Sequence, residues 1–92
     1  MRVRVKFTGL FRHYAGEKER EYELPEGSTV ADLMAALGRD LGPRLPEQLW
    51  DPAEERFNHL IRAIRLERPI QDEGDTLQDG DEVHILSRLT GG

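Results

Sequence analysis

The sequence predicts an α+β fold, a mixed sheet with one main helix packed across it. Three observations carry that expectation. Two short runs near the start, RVRVKF and EREYEL, alternate charged and apolar residues with period two, the pattern of half-buried strands. One run, VADLMAALGRDL, places Val30, Leu33, Met34, Leu37 and Leu41 at helical spacing, so a single stripe is apolar. After it come two further strand-like stretches, HLIRAIRL and EVHIL.

In the first strand Val3, Val5 and Phe7 share one face, and Arg2, Arg4 and Lys6 the other. In the second, Tyr22 and Leu24 lie with Arg20, opposite Glu19, Glu21 and Glu23. An antiparallel hairpin would set a row of cations against a row of glutamates, which favours that pairing by a few tenths to about 1 kcal/mol per pair. The link TGLFRHYAGEK exceeds a tight turn. Leu10, Phe11 and Tyr14, three and four apart between Gly9 and Gly16, predict a short helical turn that plugs one end of the core.

Pro25-Glu26-Gly27 ends the second strand, and Thr29 with Asp32 forms a capping pair at the start of the main helix. Gly42-Pro43 closes that helix. Residues 43–58 contain three prolines; Leu45, Leu49 and Trp50 are expected to form one more helical turn on the core rim. HLIRAIRL is the third strand, its alternation blurred by Leu60-Ile61 and Ala63-Ile64. Pro69-Ile70 is expected as a short edge strand. Asp79-Gly80 then turns the chain into a last strand with Val83 and Ile85 on one face, His84 and Leu86 on the other. Both faces are partly apolar, which places this strand centrally.

Strand, strand, crossing helix, strand, short strand, strand is the β-grasp order. It makes the first and last strands parallel neighbours and sends the C-terminus out of the middle of the sheet. The expectation is a single domain over residues 1–92 whose tail, about 87–92, stands exposed.

Composition narrows the function. The chain has 92 residues, 37% hydrophobic and 34% charged, and no cysteine. That excludes disulfides, thiolate catalysis, thiolate zinc sites and cysteine-ligated iron–sulfur clusters on this chain. The three histidines, His13, His59 and His84, lack metal-ligand spacing, so no metal site is expected. A formal charge of −5 disfavours nucleic acid, which calls for a basic footprint, and suits a basic protein partner. No apolar run nears the roughly 20 residues of a membrane span, and the opening lacks a signal-peptide core. A cytoplasmic protein, monomeric when free and unattached to membrane, is expected. The acidic run Asp72, Glu73, Asp75, Asp79, Asp81 and Glu82 fails EF-hand spacing because Leu77 stands at a ligand position. Turn chemistry and solubility account for it.

Glycine is about 7% of average composition, so a chain ending Gly91-Gly92 is uncommon, although a frayed terminus would read the same way. Taken together, RVRVKF, the Tyr14-Ala15-Gly16 stretch before the second strand, LPEGSTVADLMAAL, LQDGDEVHIL and the terminal Gly91-Gly92 resemble the ubiquitin-like sulfur-carrier family of MoaD/ThiS type. The likeness spans nearly the whole length and is nearest to the small subunit of molybdopterin synthase. It implies a carrier and not an enzyme. Gly92 would be the point of adenylation and sulfur attachment, with Gly91, Thr90, Leu89 and Arg88 as the recognised tail. His84 and Leu86 would belong to the partner surface. The implied partners are a ubiquitin-activating-type adenylating enzyme, which consumes ATP, and a client such as the molybdopterin synthase large subunit; no cofactor is bound by the chain itself. A protein modifier joined through Gly92 to lysines, a sulfur donor for tRNA thiolation or another metabolite, and a non-covalent module with an idle tail remain the alternatives.

Overall fold

The computed structural model describes residues 1–59 and 61–87. Strand β1 (Arg2–Phe7) is followed by helix α1 (Gly9–Ala15), strand β2 (Glu19–Glu23) and helix α2 (Val30–Leu41). A 3-10 turn (Gly42–Arg44) and two-residue strands β3 (Trp50–Asp51) and β4 (Arg56–Phe57) lead to β5 (Ile61–Ile64) and β6 (Glu82–Ser87). The main sheet has the order β2-β1-β6-β5. β1 is antiparallel to β2 and parallel to β6, and β5 is antiparallel to β6. The crossover and the central, parallel last strand therefore stand as the sequence predicts.

The β1–β2 register sets Arg2 against Glu23, Arg4 against Glu21 and Lys6 against Glu19. Arg2 reaches Glu23 at 2.9 Å, whereas Arg4 pairs diagonally with Glu19 at 3.2 Å. These pairs are exposed, and each contributes at most about 1 kcal/mol; their larger effect is on register, since a slip by one residue would also turn Val3 and Val5 to water. On the inner face Val3, Val5, Val83 and Ile85 are fully buried against Val30, Leu33, Leu37 and Leu41 of α2.

Helix α2 begins with the predicted capping box. Thr29 Oγ1 accepts the Asp32 N–H at 3.2 Å, and the Asp32 carboxylate accepts the Thr29 N–H at 2.9 Å, satisfying two N–H groups the helix cannot. Helix α1 plugs one end of the core through Phe11, which stacks on Phe7 with ring centroids 5.5 Å apart. It stops at Gly16, whose φ of 78° is a left-handed conformation that suits a residue without Cβ.

Two expectations fail. Leu45, Leu49 and Trp50 do not form a helical turn. The 3-10 turn ends at Arg44, Pro46 to Leu49 make a turn, and Trp50 starts the β3–β4 hairpin. Pro43, Pro46 and Pro52 lack the N–H groups a helix needs, and the Asp51 carboxylate accepts the Ala53 and Glu54 N–H groups at 2.9 and 3.1 Å. That closes the chain into an Asx-type turn. The hairpin lays Trp50 across α2, where Gly38 and Gly42 leave room for its ring.

Pro69-Ile70 is not a strand; beyond it the chain is tied to the start of α2 by an isolated bridge between Thr29 and Thr76 and by the Val30 and Ala31 N–H groups, which donate to the Asp75 and Glu73 carbonyls. The chain leaves β5 at Ile64 because Arg65 turns inward, donating to the Arg68 and Thr76 carbonyls and pairing with Asp81 at 3.2 Å.

Candidate functional site

β6 lies between β1 and β5 and runs toward the end of the sheet where α1 sits, and there the described chain stops at Ser87. The predicted tail residues Arg88, Leu89, Thr90, Gly91 and Gly92 lie outside the described residues. The described part of the site is the end of β6 and its neighbours in the sheet. β6 is hydrogen-bonded on both edges, and its Val83 and Ile85 are fully buried, which holds the strand firmly in place. Thr8 adds a hydroxyl hydrogen bond of 3.1 Å to the Ile85 carbonyl.

His84 and Leu86 face outward from this strand and are half-buried. The registers put His84 between Lys6 on β1 and Ile64 on β5, and Leu86 beside Arg62. Ile64 is 37% exposed and Leu66, just beyond β5, 74% exposed. The outer sheet surface thus has two halves. The β1–β2 half is carpeted with ion pairs, whereas the β6–β5 half presents Leu86, Ile64 and Leu66 around His84. Glu82 joins the halves: its carboxylate lies 3.1 Å from His84 Nε2 and 3.6 Å from Lys6 Nζ. The hydrogen bond to His84, aided by the Lys6 charge, holds its pKa below the usual carboxylate range.

The acidic run divides by role. Asp72 and Asp75 accept the backbone N–H groups of Gly74 and Gln71, the turn chemistry anticipated for them, whereas Asp79 accepts the N–H of Arg2 at the start of β1. Asp81 is different: it receives Arg65 and Arg68 and the Gln78 N–H. Burial alone would raise its pKa, but the bonds from Arg68 and Gln78 and the two arginine charges outweigh that and lower it. Sequence reasoning missed this node. Asp-Gly-Asp reads as a turn, and nothing local marks which aspartate receives an arginine sixteen residues away.

Among the described residues, no group of three or more His, Asp or Glu side chains could hold a metal ion. The hydroxyls at the start of α2 serve the fold: Ser28 donates to the Pro25 carbonyl and Thr29 caps α2. His13 is exposed, packed edge-on to Tyr14. No described helix is long and apolar enough to cross a membrane.

A mixed sheet embraced by one crossing helix, with its last strand central and parallel to its first, defines a ubiquitin-like β-grasp protein. Within that class the chain belongs to the ThiS family, whose pattern matches residues 5–92. It is 28% identical over its full length to a molybdopterin synthase sulfur carrier subunit of Chlamydomonas reinhardtii, itself covered completely. Among solved structures it resembles SAMP1 from Haloferax volcanii, with a TM-score of 0.80, 20% identity and full coverage of both chains. It also resembles a molybdopterin converting factor, subunit 1, from Pyrococcus furiosus (TM-score 0.71, 28% identity, 95% of this chain and 97% of that one). The small archaeal modifier protein 1 of Methanosarcina acetivorans matches with a TM-score of 0.68 at 25% identity, over 99% of this chain and 96% of that one.

Proposed function

We propose that this protein is a sulfur carrier that acts through the carboxylate of Gly92, in the biosynthesis of molybdopterin. The observation that carries the reading is the rigid central strand β6, ending at Ser87 and followed in sequence by a short tail closing on Gly91-Gly92. A firmly paired final strand followed in sequence by a short glycine-ending tail suits delivery of a reactive end into another protein's site.

The chemistry falls to the partners. A carboxylate is a poor electrophile, so an adenylating enzyme directs a Gly92 oxygen onto the α-phosphorus of ATP, releasing pyrophosphate and leaving an acyl adenylate. The terminal sulfur of a persulfide attacks the acyl carbon and AMP departs. A second thiol then cleaves the acyl disulfide, so that a thiocarboxylate remains on Gly92 and the donor leaves as a disulfide. Gly91 and Gly92, lacking Cβ, pass a narrow channel and leave the acyl carbon open to both attacks. Leu89 anchors the tail in an apolar notch and Arg88 meets acid at its rim. His84 and Leu86, with Ile64 and Leu66 beside them, form the contact surface at its base. No cofactor resides on the chain, and ATP is consumed by the activating partner. The molybdopterin synthase large subunit is the client, a step supported by the carrier subunit of Chlamydomonas reinhardtii.

Intact mass of the protein from its own host tests this. A gain matching one oxygen replaced by sulfur, abolished in Gly92→Ala, is the expected result; normal sulfur transfer by Gly92→Ala would sink the proposal. The likeness to small archaeal modifier protein 1 favours one second reading, a modifier attached to lysines. Gly-Gly remnants on lysines of other proteins would establish it instead.

A further inference from the structure

The charges of this chain are sorted along the sheet. β1 and β6 run toward the end that carries α1, and β2 and β5 start from it. That end holds Arg12 in the last turn of α1, Lys18 on the turn into β2, and Arg62 beside Leu86 on β5. All three are exposed and make no ion pair among the described residues. Arg12 and Lys18, with His13, border one shallow concavity floored at Gly9 and Gly16. The carboxylates nearby are already engaged: Glu17 by Arg20, Glu19 by Arg4 and Glu82 by Lys6. At the opposite end Glu21, Glu23, Glu26 and Asp79 gather around another concavity. A chain of net charge −5 therefore turns a positive end outward where β6 leaves the sheet.

We infer that Arg12, Lys18 and Arg62 form a basic docking rim around the base of the tail, fitted to an acidic surface on the protein that activates it. The inference rests on the carrier reading above. It reverses what net charge alone implies, a basic partner, because the partner meets the end and not the average. Three unpaired cations on an acidic body are too few for a nucleic-acid footprint. They suffice to orient encounter with an acidic protein, because the like-charged far end is repelled while the rim is drawn in.

The test uses the full chain and the adenylating enzyme of its own host, with ATP–pyrophosphate exchange measured against carrier concentration. The triple variant R12E/K18E/R62E is expected to raise KM at least about tenfold at low salt with kcat unchanged. The neutral set R12Q/K18Q/R62Q should fall between that variant and wild type. The difference should close near 1 M salt, where the screening length is about 3 Å. R39E is the control, set against the single reversals R12E, K18E and R62E, each of which makes the same charge change: it lies away from the rim, beside the Leu24–Ser28 turn. A triple-variant KM within about twofold of wild type, or an equal effect of the control, would overturn the rim while leaving the carrier intact. Absence of exchange with the wild-type chain would overturn the carrier reading and the rim with it.

Discussion

Gly38 sits inside α2, where glycine ordinarily costs about 1 kcal/mol relative to alanine. Gly38→Ala should therefore stabilise an isolated helix by that amount. Here a Cβ at position 38 would lie 2.7 Å from both Cη2 and Cζ3 of Trp50. Comfortable carbon contact begins at about 3.5 Å, so the ring must retreat by most of an ångström. Moving it costs contacts, because the ring packs edge-on against Phe57 at a centroid distance of 5.0 Å and lies along Gly42 as well as Gly38. Overpacking of this kind costs about 1–3 kcal/mol. Subtracting the propensity gain leaves a net destabilisation of about 1 kcal/mol. Removing the obstacle should reverse the sign. In a Trp50→Leu background the same Gly38→Ala change should stabilise by up to about 1 kcal/mol, a coupling of about 2 kcal/mol between the sites. Urea unfolding followed by circular dichroism measures all four corners of this cycle. Trp50 is the chain's one tryptophan, so its fluorescence also reports the ring's displacement in Gly38→Ala directly. Equal stabilisation in both backgrounds would refute the claim that Trp50 is seated on the glycines of α2.

Asp81→Asn should cost about 3–5 kcal/mol in urea unfolding, because it leaves Arg65, whose side chain is only 6% exposed, charged and without its carboxylate; a loss below about 1 kcal/mol would mean the pair is dispensable. Asp81 and Asp40 both have lowered pKa values in the fold, Asp40 through its hydrogen bonds from Arg20 and Tyr22. Their contribution is therefore fully present above the unfolded aspartate pKa of about 3.9 and is lost as pH falls through the folded values. Stability measured from pH 7 downward should hold until about pH 4 and then drop, and Asp81→Asn should flatten that drop. Leu86→Asp, on the outer face, should leave the melting temperature within a few degrees of wild type but weaken exchange with the adenylating enzyme about tenfold or more; unchanged exchange would remove this face from the docking surface.

Much of this protein follows from pattern alone. Period two in RVRVKF and EREYEL and helical spacing from Val30 to Leu41 determined β1, β2 and α2, because each element must bury one face and that need is written locally. The charge rows of Arg2, Arg4 and Lys6 against Glu19, Glu21 and Glu23 also pointed to the hairpin, since pairing there is between chain neighbours. The central place of β6 was legible from its partly apolar pattern on both faces, which is the pattern of interior strands more than of edges. Where the sequence lacks a period, tertiary contacts decided. Leu49 and Trp50 look like helix residues among prolines, yet they settle as a turn and a short strand because Gly38 and Gly42 offer Trp50 a seat that only the folded helix presents. Asp81 became a half-buried ion-pair node, unlike its neighbours in the acidic run, because the fold brings Arg65 and Arg68 to it. The sorting of Arg12, Lys18 and Arg62 to the end where β6 leaves is likewise absent from composition. Charge is additive along a chain, but its direction in space is set only when parallel and antiparallel strands bring distant residues to one end of a sheet.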